Sequence, residues 1–302
     1  MKRHCANMVF ALILIAYTVY AALDTFVIVR VLTPDTLPTA TAEASTAPTE
    51  PPAEQTTTAP ISTDTEYHDD QIDIVLTTMR VENTTVYVAD VQIADISLLK
   101  TALAGNTARN LTETTSAQAA NAGAILAING DYYGAQERGY VLRNGVLYRA
   151  SAQSGTDALV IGSDGNFRII NEGETSADTL VREGAWQVLT FGPALIKDGQ
   201  VTVRSSDEVG RAMTSNPRTA IGQISEGHYL LVVSDGRTKE STGLSLRQLA
   251  ELMQSLGAQI AYNLDGGGSS TMVFQGRVVN NPTTNGRSIR ERSVSDIVYI
   301  GY

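Results

Sequence analysis

Residues 229–274 read YLLVVSDGRTKESTGLSLRQLAELMQSLGAQIAYNLDGGGSSTMVF, and this stretch decides the fold. An apolar strand over 229–234 runs into Asp235 and Gly236, and a second over 258–264 runs into Asp265. Between them Leu246, Leu249, Leu252, Met253 and Leu256 recur at the spacing that puts them on one helical face. Ser245 and Gln248 make a capping box at the start of this helix, and Gly257 supplies its stop. The helix thus connects two apolar strands as a βαβ-like unit would.

Outward from this unit the chain is mostly strand. Residues 72–81 and 85–93 alternate or run in Ile, Val, Thr and Tyr on either side of Glu82-Asn83, which predicts a hairpin. Further hairpin signals are Asn144-Gly145, Asp164-Gly165, Asp198-Gly199, Glu226-Gly227 and Gln275-Gly276. Helical spacing is present near 95–104 and 113–122. No repeat of fixed period is visible. The expectation is an α+β fold: a strand-rich mixed sheet with a few helices, forming one globular ectodomain over residues 65–302.

The rest of the 302 residues has a different character. Lys2, Arg3 and His4 precede an apolar run from Met8 to Leu23, which Phe26 to Val29 extend past Asp24 and Thr25. A spanning helix needs roughly 20 residues, which Asn7 to Val29 supplies, and the basic residues before it place the N-terminus in the cytoplasm. The pattern is that of an uncleaved signal anchor over 7–32 behind a cytoplasmic tip, 1–6. A cleaved signal with its exit at Val19-Tyr20-Ala21 is the alternative, although the apolar run continues past it. Residues 33–64 hold ten Thr, six Pro and six Ala among 32 positions. Such a tract cannot bury enough surface to fold and is expected to be an extended linker. The chain is therefore expected to sit in the cell membrane as a single-pass protein with residues 65–302 outside.

Charge and rare residues exclude several functions. With 22 basic against 32 acidic residues the net charge is -10, and no Lys/Arg-rich run could neutralise a row of phosphates. Nucleic acid is not an expected partner. The sole cysteine, Cys5, precedes the apolar run, which leaves no disulfide, thiolate zinc site or nucleophilic thiol beyond it. Past that run the histidines are His68 and His228, too few for a multi-histidine metal centre.

Four polar clusters follow apolar strands, where an α/β sheet commonly places ligands. In AILAINGDYYG, Ala124 to Ile128 lead into Asn129, Gly130 and Asp131, with Tyr132 and Tyr133 behind; a plain turn is the competing explanation. In NPRTAIGQIS, Arg218 follows Pro217 at the mouth of a strand, where a guanidinium can hold phosphate or carboxylate through two parallel hydrogen bonds. A surface salt bridge is the blander reading. In LLVVSDGR, an Asp-Gly turn accounts for Asp235 and Gly236 nearly as well as an acid in a site does. The most specific is AYNLDGGGSSTMVF, where Asn263 and Asp265 end a strand. Gly266, Gly267 and Gly268 then let backbone N–H groups approach an anion, and Ser269, Ser270 and Thr271 add hydroxyl donors; a purely structural triple-glycine turn is the competing explanation. It is neither a P-loop, since no Lys follows a glycine, nor a nucleophile elbow, since Thr271 stands two residues after Ser269 where a glycine is required.

The order and wording of these clusters resemble the phosphodiester glycosidase family over roughly residues 72–302: INGDYY, NPRTAIGQ, VVSDGR, a Leu-rich helix ending in LGA, YNLDGGGSSTM and finally ERSVSDIVYIG. The co-occurrence of LDGGGSST with NPRTAIG carries the resemblance. It implies hydrolysis of a sugar-1-phosphodiester, cut between the anomeric carbon and the phosphate-bearing group. The positions that match the family's pattern are Asn129, Gly130, Arg218, Thr219, Asp235, Gly236, Asn263, Asp265, Gly266, Gly267, Gly268, Ser269, Ser270 and Arg292, with Asp131 and Tyr133 beside the first motif.

Such a reaction asks little of the protein, because the departing phosphate monoester is already stabilised as an anion. One carboxylate plus phosphate binders could suffice. In this reading Arg218 and the Gly266 to Ser270 loop neutralise charge growing on the phosphate. Asp265 or Asp235 serves as the base for water or as the nucleophile, beside an oxocarbenium-like sugar. Asn129, Gly130, Asp131, Thr219, Asn263 and Arg292 are expected to contact substrate. No cofactor is expected; Asp131, Asp265 and Asn263 offer the oxygens that a Mg²⁺ or Ca²⁺ could use, without an EF-hand-like ladder. With its tether, the expected enzyme trims sugar phosphates from envelope or extracellular glycans. The competing function is a non-catalytic surface module that binds phosphate-containing polysaccharide through the same cleft, disfavoured by the single Trp186 and the clustered acids.

Overall fold

The computed structural model describes residues 60–204, 207 and 215–302, together with residues 14, 16 and 17. The expected cytoplasmic tip, the signal anchor but for those three residues, and the linker up to residue 59 lie outside the described residues. Among the described residues no helix is long and apolar enough to cross a membrane.

The described strands form three sheets. The largest runs in the order Ile61–Ser62, Glu66–His68, Ile72–Val81, Thr84–Ile93, His228–Ser234, Arg218–Ser225, Ile260–Asn263, Ala194–Lys197, Gln200–Val201. A second runs Phe167–Asn171, Asp157–Gly162, Ala185–Leu189, Val141–Arg143, Val146–Arg149. The third runs Arg277–Val278, Met272–Phe274, Leu126–Asn129, Asp296–Ile300, Leu99–Leu103. Strand Ile61–Ser62 pairs with Tyr67 and His68, so the largest sheet takes up the last residues of the stretch read as linker.

The turn chemistry is legible in the strands it joins. Val81 pairs with Thr84 across Glu82-Asn83, and Glu82 takes the positive φ, 51°. All five Asx/Glx-Gly pairs named above also close antiparallel hairpins. Helix Leu246–Ser255 starts at the expected capping box, with Ser245 Oγ accepting from Gln248 N and Gln248 Oε1 accepting from Ser245 N. The strands it joins are not neighbours, however. Strand Arg218–Ser225 lies between them and pairs antiparallel with both, which leaves the outer two parallel to each other. Gly222 permits this, because a Cβ there would stand 2.7 Å from the Met253 terminal methyl and 3.1 Å from the Ile260 carbonyl. Met253 of the helix packs against the inserted strand at this glycine.

Two further helical expectations fare differently. Thr114 caps helix Thr115–Ala122, and Gly123 ends it at φ 64°. Residues 95–104 are instead two short 3-10 turns around strand Leu99–Leu103, which pairs with Asp296–Ile300. A short apolar run does not distinguish helix from strand, and pairing with the C-terminal strand decides it. Helix Ala177–Arg182, six residues long, is too short to leave a periodic signal.

Alternation along the strands gives each sheet an inner and an outer face. The inner faces of all three meet in one core, with Ile74, Val91, Leu231 and Tyr262 from the first, Leu159 and Leu189 from the second, and Leu126, Phe274 and Val298 from the third. Each outer face is covered by one helix: Leu246–Ser255 on the first sheet, Ala177–Arg182 on the second, Thr115–Ala122 on the third.

Candidate active site

Register places the functional side chains. Arg218 pairs with Ser234, and Ala220 pairs with Asn263. Leu264 N donates to Thr219 O at 2.9 Å, which extends the ladder one step and sets Asp265 opposite Arg218. With a period of two, Arg218, Ala220, Asn263 and Asp265 share the face that carries helix Leu246–Ser255, while Thr219, Ile221, Tyr262 and Leu264 turn toward the central core. Arg218 Nε donates to the Leu244 carbonyl just ahead of that helix, at 2.9 Å.

A cleft of about 690 Å³ opens on this face. Its lining includes Arg218, Asn263, Asp265 and the three glycines after it, with Arg237, Asn216 and Arg292; Phe191–Pro193, next to Asn263 in the sheet, and Gly155–Asp157 complete it. Asp265 is 8% exposed. Its Oδ2 accepts from Ser269 Oγ at 2.6 Å and from Arg292 Nη2 at 2.9 Å. Burial pushes its carboxyl up from the ordinary carboxylate value, against the Ser269 hydroxyl and the Arg292 guanidinium, which pull it down. Arg292 also donates from Nε to Ser269 Oγ at 2.9 Å, so acid, hydroxyl and cation are locked as one unit. Arg237 is aimed by Asn216 Oδ1, which accepts from its Nε and Nη2 at 3.3 and 3.2 Å, and by the Thr284 carbonyl at 2.6 Å.

The glycine loop lines the cleft but spends most of its backbone donors within the fold. A Cβ on Gly266 would stand 2.9 Å from the Pro217 carbonyl, and one on Gly268 2.5 Å from Thr284 Oγ1. Gly267 sits at φ 62°. Gly267 N donates to Pro217 O, Ser269 N to Gly266 O and Ser270 N to Gly267 O, so these three donors are used within the fold. The glycines let the loop lie flat against its neighbours, and the cationic groups facing the cleft are arginine side chains.

Several expected site residues do not line the cleft. Asn129 is fully buried and braces the loop from behind: Nδ2 donates to Asp265 O at 2.6 Å, and Oδ1 accepts from Thr219 Oγ1 at 2.8 Å and from Thr271 N at 3.2 Å. Gly130 accepts from Asp265 N through its carbonyl, and a Cβ there would stand 2.2 Å from Asp296 Oδ1. Asp235 is occupied elsewhere, accepting from Asn281 N at 2.8 Å and Asn281 Nδ2 at 2.9 Å. Asp235 neither lines the cleft nor sits in a tight Asp-Gly turn: its carboxylate anchors the segment at Asn281. Ser269 and Ser270 are buried behind the cleft wall.

Asp131 is likewise withdrawn, and it exposes a feature the sequence hides. Arg143, fully buried, donates from Nη2 to Asp131 Oδ1 at 2.8 Å and to Asp296 Oδ2 at 3.0 Å, while Asp131 Oδ2 accepts from Thr190 N at 2.7 Å. Burial, and then the nearby Asp131 charge, raise the Asp296 carboxyl above the ordinary value against the pull of Arg143. The oxygens of Asp131, Asp265 and Asn263 therefore do not converge. Among the described residues no group of three or more His, Cys, Asp or Glu side chains is placed to hold a metal ion.

Asp157 and the Phe191–Pro193 segment carry no polar motif after an apolar strand as the four clusters do, so only the fold brings them to the cleft. Asp157 begins its strand, with Oδ1 3.2 Å from Lys197 Nζ and Oδ2 3.2 Å from Ala194 N. Arg237 was visible beside Asp235 but had no role until folding turned it into the cleft.

Fold and site together define an α+β domain with a buried carboxylate in an arginine-lined cleft suited to an anionic ligand. The family model for phosphodiester glycosidases matches residues 122–301, and the chain belongs to that family. It is 31% identical over 195 residues to the SPbeta prophage-derived protein YomE of Bacillus subtilis (strain 168), covering 63% of this chain and 30% of that protein. It is 28% identical over 203 residues to the N-acetylglucosamine-1-phosphodiester alpha-N-acetylglucosaminidase of Mus musculus, covering 62% of this chain and 39% of that protein. The match thus spans roughly a third of the length of these curated relatives. Among solved structures, the catalytic domain of the zebrafish N-acetylglucosamine-1-phosphodiester alpha-N-acetylglucosaminidase, auto-inhibited by its pro-peptide, shares the fold with a TM-score of 0.61 at 21% identity, over 77% of this chain and 83% of that one. A hypothetical protein from Synechocystis shares it with a TM-score of 0.59 at 16% identity, over 77% of this chain and 62% of that one.

Proposed function

We propose that this protein hydrolyses the bond between a sugar's anomeric carbon and the oxygen of a phosphodiester. The observation that carries the reading is a buried carboxylate, Asp265, in a cleft lined by Arg218, Arg237 and Arg292. A phosphodiester is an anion whose oxygens suit guanidinium donors, and the name of the mouse relative points to a glycosyl phosphodiester as the substrate class. Water attacks the anomeric carbon as the bond from that carbon to the phosphate oxygen breaks. Both electrons of the broken bond leave with the oxygen, the product is a phosphate monoester with one more negative charge, and the water's proton passes to Asp265. A carboxylate whose proton affinity is raised by burial is suited to take it. The arginines stabilise the charge that appears on the phosphate, which removes the need for a separate acid behind the leaving group.

Hydrolysis in ¹⁸O-labelled water by the full-length chain tests the reading. Attack at the anomeric carbon puts the label in the released sugar. Label in the phosphate means cleavage on the phosphorus side and overturns it, and binding without turnover leaves the polysaccharide-binding module as the function.

We further place the domain outside the cell, tethered by residues 7–32, where it acts on envelope or extracellular glycans. Lys2 and Arg3 before the apolar run, and the lack of Lys or Arg between Arg30 and Arg80, support this topology. Protease added to intact cells should release a fragment of nearly the size of residues 60–302. Full protection overturns the placement, and a secreted chain beginning near Ala22 shows a cleaved signal instead.

A further inference from the structure

Asn263 is 3% exposed and stands in the wall of the cleft, two residues before Asp265 on the same face of the sheet. Its Nδ2 donates to the Gly192 carbonyl at 2.7 Å. A carbonyl only accepts, so this bond fixes which end of the amide is which. The other end, Oδ1, has no hydrogen-bond partner among the described residues. Its neighbours do: Nε and Nη2 of Arg292 and the hydroxyl of Ser269 are engaged around Asp265, and Asn216 Oδ1 is engaged by Arg237. An acceptor buried without a donor is uncommon in a folded protein and calls for an explanation.

The chemistry of the missing partner is constrained. It must carry a hydrogen, which excludes the phosphate oxygens of an ionised diester and assigns those to the arginines. A sugar hydroxyl or an acylamino N–H qualifies. Successive same-face residues of a strand are ~6.6 Å apart. With Asp265 on the water that attacks the anomeric carbon, this spacing brings the substituent on the adjacent ring carbon nearest to Oδ1.

We propose that Asn263 is the specificity-determining residue for the sugar, its Oδ1 accepting a hydrogen bond from a hydroxyl or acylamino N–H on the carbon next to the anomeric centre. This rests on the hydrolase reading and names the half of the substrate which the arginines do not read. Hydrogen bonds at that ring position strengthen in an oxocarbenium-like transition state, so the contact should appear in kcat as well as in KM. A site built to pair a buried acceptor discriminates strongly against an analogue that lacks the donor, because the acceptor then stays unpaired.

The test compares synthetic glycosyl phosphodiesters bearing a hydroxyl, an acetamido group or only hydrogen at the 2-position, using the full-length chain and its Asn263→Ala variant. Each kcat/KM is divided by the spontaneous hydrolysis rate of the same compound, since 2-deoxy sugars ionise more readily by themselves. Wild type should accelerate the better of the two donor-bearing substrates at least a hundredfold more than the 2-deoxy one. Asn263→Ala should lose about that factor on the donor-bearing substrate and treat the two alike. Equal acceleration by wild type, or discrimination that survives in Asn263→Ala, overturns the assignment while leaving the hydrolase reading intact. If no glycosyl phosphodiester is cleaved, the hydrolase reading fails by itself. Calorimetric titration with a sugar-1-phosphate and its 2-deoxy analogue then decides the assignment, equal affinities for wild type overturning it.

Discussion

The Asn129 side-chain amide donates to the backbone carbonyl of Asp265 at 2.6 Å, so a residue that does not line the cleft holds in place the residue that carries its buried carboxylate. The same amide's oxygen takes Thr219 Oγ1 and Thr271 N, which ties three strands' ends to one side chain. Replacing it with Ala leaves several buried groups unpaired, each costing about 1–3 kcal/mol. Asn129→Ala should therefore lower the urea midpoint and, because Asp265 loses its brace, reduce kcat by tenfold or more. A destabilised variant with unchanged kcat would separate the two roles and remove Asn129 from the site's support.

Asp265 itself should show the opposite balance. Its carboxyl is raised by burial, so the folded state keeps its proton to a higher pH than the unfolded chain does. Stability from that proton is full below the ordinary carboxylate value and is lost as pH rises through the raised folded value. Asp265→Asn is neutral at every pH and should melt no lower than wild type at pH 7, with the difference between them changing as the pH falls through the carboxylate range. Its turnover should drop by a factor of about 10²–10⁴. Thermal melts across pH and single-turnover rates check both halves, and full kcat in the Asn variant ends the catalytic assignment.

Asp235→Asn, run beside it, distinguishes an acid in the cleft from an acid that anchors a loop. Asn281 engages both Asp235 oxygens, and the carboxylate also lies 3.4 Å from Tyr87 Oη and from Asn280 Nδ2. Loss of charge-assisted bonds of this kind costs about 1.5–3 kcal/mol. The expected result is a lower melting temperature with kcat within about threefold of wild type at a temperature where both are folded. A thousandfold loss of kcat would return Asp235 to the chemistry.

What could be read from the chain follows from how local each signal is. Gly after Asn, Asp, Glu or Gln located the hairpins, because in all five the glycine takes the positive φ that the turn requires. The Ser245–Gln248 box and the Leu246–Met253 face located the main helix for the same reason. Asp265, Arg218, Asn263 and Arg292 were legible through motif wording, and the alternation of two neighbouring strands explains why the first three share a face. The insertion of Arg218–Ser225 between the strands of the expected βαβ-like unit was not legible, since the close approach at Gly222 is a contact across the fold. Nor was the Asp131–Arg143–Asp296 cluster, whose members are separated by 12 and 153 positions and meet only when the sheets pack.

Arg218 carries a prediction in which geometry matters as much as charge. It is 6% exposed, lines the cleft beside Asp265 on the neighbouring strand, and spends Nε on the Leu244 carbonyl. Arg218→Ala should depress kcat/KM on a glycosyl phosphodiester by orders of magnitude while the protein remains folded. Arg218→Lys should recover only part, because an ammonium is a point charge and cannot hold Leu244 O and an anion in one planar fork. Circular dichroism and steady-state kinetics on the pair check this, and a wild-type rate in Arg218→Ala would take it out of the site.

The buried Asp131–Arg143–Asp296 cluster should reveal itself through pH. One guanidinium faces two carboxylates with all three side chains excluded from water. Removing the cation leaves two buried carboxylates uncompensated, so Arg143→Leu should cost about 3–5 kcal/mol at neutral pH and regain part of it in mild acid as a carboxylate takes up a proton. Asp296 works in the other direction. Burial and the Asp131 charge raise it, so the folded state binds its proton more tightly than the unfolded chain does, and wild-type stability from this group declines as pH rises from the ordinary carboxylate value through the raised one. Asp296→Asn removes the titrating group and should flatten that part of the stability–pH curve, whatever it does to the absolute value. Urea titrations of wild type and both variants between pH 4 and pH 8 check the sign. A wild-type curve with no decline across that range, or an Asp296→Asn curve parallel to it, would show that the proton on Asp296 contributes nothing to folding.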